Sequence, residues 1–284
     1  WSIIKMISHS FNLNHGPSKS NLHINEHKAK SDQHSKNLLL TAKALPTFEP
    51  SFSLSTKYPL VVLDQGTLGS CVANSFAAIM NSLYGITPSR IYNYFIASIT
   101  QGNAIGKDNG LDLLQAIPTF KNCGVVLEQQ YPYNISAFSL FPPLNIFKVA
   151  DTTKTFTPTY ISQSVSSIQT ALSNGQFVTF GILVYSSFLT KQVATTGLVS
   201  YPNTSKETLQ GGHCVHLVGW CTINNTLYFI ARNSWGTGWG NNGAPISVSS
   251  FTYANNGKNG GFFYIPASYV TDPKLAFEFV GISK

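Results

Sequence analysis

Charge is scarce in this 284-residue chain: Asp, Glu, Lys and Arg together make up only 10% of it. Beside 43% hydrophobic residues, that scarcity excludes an intrinsically disordered polyelectrolyte and points to a globular protein with a substantial core. Long apolar runs are missing too, which excludes a membrane-spanning helix. Residues 1–6 hold too short an apolar stretch for a secretory leader, although residue 1 is Trp rather than Met and secretion stays open. Cysteine is limited to Cys71, Cys123, Cys214 and Cys221, too few for a disulfide framework. With Cys71 reserved for chemistry, at most one bridge remains, which favours a reducing setting such as cytoplasm or virion over a lysosomal or secreted one. No internal repeat is evident.

The net charge of +7 is unevenly spread. Residues 1–57 carry seven lysines against Glu26, Asp32 and Glu49, so more than half of the surplus lies there. There is no arginine-rich stripe with interleaved aromatics, and a nucleic-acid partner is therefore not expected. Residues 1–44 are rich in Ser, Asn, Lys and His, have little apolar periodicity, and read as an extension or pro-segment. The composition turns apolar and aromatic at Leu45-Pro46, so residues 45–284 are expected to form the core-bearing domain.

Within that domain, apolar spacing predicts a buried helix from Cys71 to Tyr84, stopped by Gly85. Further helices are expected from Thr87-Pro88 through Ile99, over residues 111–120, and over 164–173 before Asn174-Gly175. Strand patterns follow at residues 177–185, 213–221, 226–233, 246–250 and 262–265. Helices first and strands afterwards imply an α+β fold in two lobes, with a cleft between them.

The chemistry concentrates in four places. Cys71 opens the first helix, where amide donors and a protonated histidine would stabilise a thiolate. Gly69 and Ser70 before it leave room for a substrate backbone. His213 follows Gly211 and Gly212 at a strand start, as a base facing a cleft requires. Asn233 ends the next strand and can hold an imidazole in one tautomer, with Trp235 shielding that bond from water. Gln65, six residues before Cys71, can donate to an oxyanion together with the Cys71 amide. His216 shares a strand face with Cys214, which raises a metal site, but no further ligand has suitable spacing and core packing is preferred. No cofactor or metal is expected.

These residues resemble the papain family of cysteine proteases. The motifs are Asp64-Gln65-Gly66 through Gly69-Ser70-Cys71, Gly212-His213, and Asn233-Ser234-Trp235-Gly236-Thr237-Gly238-Trp239-Gly240, with Tyr131-Pro132-Tyr133 between them. Leu68 stands where many members carry a disulfide cysteine, and Val72 replaces an aromatic. Both features, with the tail from Gly261 to Phe279, look more like the bacterial and viral branch than the lysosomal cathepsins. The resemblance implies a helical left lobe and a β-barrel-like right lobe with the active site between them. It also implies a cysteine endopeptidase acting on protein or peptide substrates, made as a zymogen whose N-terminal segment inhibits it. Asn109 and Gly110 resemble the strip that pairs with the substrate backbone. Gly211 and Gly212 would border the pocket for the second residue upstream of the cut, and Tyr264 and Pro266 its floor. A catalytically silent binding protein and an amine acyltransferase are the alternatives on the same residues.

Overall fold

The computed structural model describes residues 47–241 and 260–284. The extension over 1–44 and the strand expected at 246–250 lie outside them. In chain order the elements are β1 (Phe52–Ser53), α1 (Cys71–Tyr84), α2 (Arg90–Thr100), α3 (Leu113–Asn122) and α4 (Leu144–Lys148). There follow β2 (Thr157–Tyr160), α5 (Val165–Ser173), β3 (Phe177–Tyr185), α6 (Lys191–Thr196), β4 (Leu209–Ile223) and β5 (Thr226–Arg232). The chain closes with β6 (Phe262–Pro266), α7 (Ala267–Val270) and β7 (Ala276–Ser283).

Helix α1 is apolar around most of its circumference, and it is buried over nearly all its length. It ends where expected, because Gly85 takes φ +69° and returns its amide to the Asn81 carbonyl at 2.8 Å. Helix α2 begins later than its sequence suggests. Pro88 is held in a bridge to Leu127, and Ser89 caps the helix by accepting the Tyr92 amide at 3.2 Å. Asp112 likewise accepts the Gln115 amide at 2.9 Å, so α3 starts at Leu113 rather than at 111 and runs on to Asn122.

The second half forms one antiparallel seven-stranded sheet among the described residues, ordered β2-β7-β3-β4-β5-β6, with β1 added on β4. Strand β4 is longer than expected and takes Gly211 and Gly212 into the ladder opposite Val184 and Leu183. Strands β2 and β7 were not expected at all; they pair with each other, and β7 completes the sheet against β3. Helix α1 packs on β3 and β4, where Ser75 meets Thr179 at 3.1 Å and His216 at 2.8 Å, and its apolar side chains belong to the same buried core as those of the sheet. Complete burial of one such side chain contributes about 2–3 kcal/mol. The first residue of α1 is thereby fixed against the sheet.

Candidate active site

Cys71 is the first residue of α1 and is wholly buried. The helix begins without a side-chain cap, since Ser70 Oγ is engaged elsewhere, against Tyr133 Oη at 2.6 Å. Burial pushes the Cys71 thiol up to about 11, while the amides of Cys214, Val72 and Cys71 itself pull the other way. The same burial pulls His213 down to about 4, opposed by its bond to Asn233. The expected thiolate and imidazolium are therefore disfavoured in this state: each group alone is held neutral.

His213 Nε2 lies 2.7 Å from Asn233 Oδ1. That oxygen also accepts the Ser234 amide at 2.8 Å, so it is the carbonyl end of the side chain and can only accept. The His213 proton therefore sits on Nε2. In the neutral ring Nδ1 is left with a bare lone pair, the state a general base needs. Trp235 stacks on the imidazole at 4.9 Å between centroids and 27° between planes, covering that hydrogen bond.

Gln65 joins this segment from the other half. Its amide donates to the Ser234 carbonyl at 2.8 Å, and its Oε1 accepts the Ser234 hydroxyl at 2.7 Å. Nε2 donates one hydrogen to the Leu68 carbonyl at 2.9 Å, which leaves a second for another acceptor. Gly236 has φ +73°, and a Cβ there would meet Asp64 Oδ2 at 2.9 Å; the turn carrying Trp235 can close on this loop only with glycine.

Gly69 is buried and its amide donates to both oxygens of Asp108, at 3.0 and 3.2 Å. Asn109 is exposed and bonded to Asn103, next to buried Gly110 at φ +71°. Gly211 and Gly212 precede His213 on β4 and are buried. Tyr264 and Pro266 do not join the group. By register Tyr264 lies across β5 from Gly219, six residues along β4 from His213, and its hydroxyl accepts from Asn241 at 3.3 Å. Strand pairing, invisible in a loop-based reading, moves both away.

Three supporting residues escaped sequence reasoning. Asp108 fixes the Gly69 amide, Ser234 clamps Gln65, and Tyr133 donates to the Gln65 carbonyl at 2.7 Å. Tyr133 carried a signal as the end of the Tyr-Pro-Tyr run and Ser234 as part of the Asn-Ser-Trp-Gly motif; Asp108 carried none. Buried Leu68 and the four free cysteines leave the site without a disulfide. Among the described residues, no group of three His, Cys, Asp or Glu side chains is arranged for a metal ion, and no helix is long and apolar enough to cross a membrane.

Comparison with known proteins places this geometry. The papain family cysteine protease model matches residues 56–250. An uncharacterized peptidase C1-like protein of Acanthamoeba polyphaga mimivirus is 29% identical over 282 residues, covering 89% of this chain and 84% of that one. Cysteine proteinase 3 of Entamoeba histolytica is 27% identical over 184 residues, where the match covers 63% of this chain and 56% of the relative. Xylellain, a cysteine protease from Xylella fastidiosa, superposes with a TM-score of 0.70 at 25% identity, covering 84% of this chain and 87% of that structure. Digestive procathepsin L 3 of Tenebrio molitor shares the fold at a TM-score of 0.58 and 19% identity, covering 85% of this chain and 72% of that structure. The chain belongs to the papain family of cysteine proteases, with viral and bacterial relatives that match it along most of their length.

Proposed function

We propose that the protein is an endopeptidase that cleaves peptide bonds through a thioester on Cys71. The observation that carries this reading is the 2.7 Å bond from His213 Nε2 to Asn233 Oδ1, which leaves Nδ1 bare as a base. The Cys71 thiol gives its proton to His213 Nδ1 as Sγ attacks the scissile carbonyl carbon. The Cys71 amide and the second Gln65 Nε2 hydrogen stabilise the oxyanion. His213 then returns the proton to the leaving amine as the C–N bond breaks, and the acyl group stays on sulfur. For deacylation His213 takes a proton from water, hydroxyl adds to the thioester, and the acid leaves as Cys71 regains its proton.

Gly69, Ser70, Asn109, Gly110, Gly211 and Gly212 are assigned to the path of the substrate backbone. The N-terminal segment is assigned an inhibitory role, the protein being made as a zymogen. Its basic composition and its position ahead of the domain support this. The test is labelling by an epoxysuccinyl inhibitor mapped by mass spectrometry, alongside hydrolysis of a peptide library. Adduct on Cys71 with peptide cleavage is expected once the N-terminal segment is removed by limited proteolysis; an unlabelled Cys71 in that processed chain, with no cleavage, overturns the reading. An added amine that diverts the acyl group would identify transfer instead of hydrolysis.

A further inference from the structure

His216 is a buried titratable group that the chemistry above leaves unused, and its surroundings are directional. Arg232 Nε lies 2.6 Å from His216 Nε2 and can only donate, so Nε2 is the bare nitrogen. The ring proton therefore sits on Nδ1 and is donated to Ser75 Oγ at 2.8 Å. Ser75 Oγ donates in turn to Thr179 Oγ1 at 3.1 Å, and Thr179 donates to the Val215 carbonyl at 3.2 Å with Cys214 Sγ 3.4 Å away. At its other end Arg232 Nη1 donates to the Val61 carbonyl at 3.0 Å and to Ser82 Oγ at 3.2 Å. His216 and Arg232 are each only 1% exposed. Burial and the adjacent guanidinium hold His216 well below the usual histidine range, in keeping with the neutral tautomer.

Each member lies one structural step from a residue of the proposed site. Ser75 is a helical turn from Cys71 on the same face of α1. His216 follows His213 by three residues on β4. Arg232 is the cross-strand partner of His216 and directly precedes Asn233. We propose that Arg232, His216 and Ser75 form a positioning network that holds Cys71, His213 and Asn233 in attack geometry from behind, a role that rests on the peptidase reading above.

Stability alone does not call for such a network. Burying a guanidinium and an imidazole costs several kcal/mol, and apolar residues of similar volume would pack a helix on a sheet at least as well. Apolar packing, however, tolerates sliding between the two surfaces. A chain of hydrogen bonds fixes one register, because every donor and acceptor must meet its partner. For a nucleophile on α1 and a base on β4, that register matters: a misplacement of about 1 Å can cost about 100-fold in rate.

The test compares Ser75→Ala and His216→Asn with wild type, each made as the full chain and then freed of its N-terminal segment by limited proteolysis. Ser75→Ala removes one oxygen. His216→Asn keeps a donor for Ser75 and loses the acceptor for Arg232. The measurements are kcat and KM for peptide cleavage, the pH profile of Cys71 alkylation by iodoacetamide, and the thermal midpoint. Expected for Ser75→Ala is a kcat reduced about tenfold or more at unchanged KM, with a displaced alkylation profile in a folded protein. His216→Asn should keep more of the activity than Ser75→Ala. Variants with wild-type kcat and alkylation profile, even at a lowered midpoint, overturn the proposal by making the network purely structural. A wild type that neither alkylates at Cys71 nor cleaves peptide overturns the peptidase reading and this role together, and that result is distinct from an active wild type with indifferent variants.

Discussion

Gln65 and Ser234 are bonded twice, backbone to backbone at 2.8 Å and side chain to side chain at 2.7 Å. The pair joins the loop before the nucleophile to the turn after the orienter. Ser234 thus sets where the Gln65 amide points. Gln65→Ala should lower kcat about 100- to 1,000-fold, the usual loss for one oxyanion donor. Ser234→Ala removes only the clamp on Oε1, so a smaller loss, about tenfold, is expected, with KM unchanged. Steady-state kinetics on a cleaved peptide checks both. Equal losses in the two variants would mean that Ser234 does more than orient Gln65.

Asn233 Oδ1 accepts from both His213 and the Ser234 amide, so one side chain fixes a tautomer and a turn together. Asn233→Ala frees the His213 ring to exchange its proton between nitrogens and leaves the Ser234 amide without that acceptor. It also removes the bond that raises the His213 pKa, so burial pulls the imidazole further below about 4. Turnover should fall at every pH, and the acid limb of the rate profile should move down, not up. A pH–rate series decides the sign.

Much of this site was legible because its residues sit in short, local patterns. Cys71 in the first turn of an apolar helix, and His213 after a Gly-Gly pair ahead of an apolar run, need no long-range information, although the strand itself already begins at Leu209. Gly85 and Ser164 marked helix ends correctly for the same reason. What stayed hidden depends on partners distant in sequence. Asp108 reaches the Gly69 amide, Pro88 is tied to Leu127, and Tyr264 is aligned by pairing with β5. Strand β7 was hidden because its alternation breaks at Glu278, where the register against β3 shifts.

Burial sets the resting protonation of the nucleophile. With its pKa at about 11, ionising Cys71 alone at pH 7 costs about 5 kcal/mol. A helix terminus supplies about 1 kcal/mol, far short of that. Proton transfer to His213 in a site opened to substrate must supply the rest. Intact protein should therefore alkylate slowly with iodoacetamide at pH 6, and a 45–284 form should alkylate faster if the N-terminal segment contributes to that burial. His213→Ala in the shorter form should abolish the gain. Equal rates for the two lengths would remove the inhibitory role of the segment.

The fold carries one residue that works against its own stability. Glu278 has φ +61° at the register shift between β3 and β7, a conformation that favours glycine, and one carboxyl oxygen is buried without a hydrogen-bond partner. Burial first, then the nearby Asp112 carboxylate, raise its pKa from 4.5 to about 7. A raised carboxyl pKa means that the folded state binds the proton more tightly than the unfolded chain. The stability held below pH 4.5 is then lost as pH rises through about 7. Glu278→Gly relieves a left-handed backbone strain of about 1 kcal/mol and removes the buried carboxyl. The variant should melt higher than wild type at pH 5 and by a wider margin at pH 8. Thermal unfolding at the two pH values measures this; a margin that narrows with rising pH would mean that the carboxylate is solvated or paired in solution.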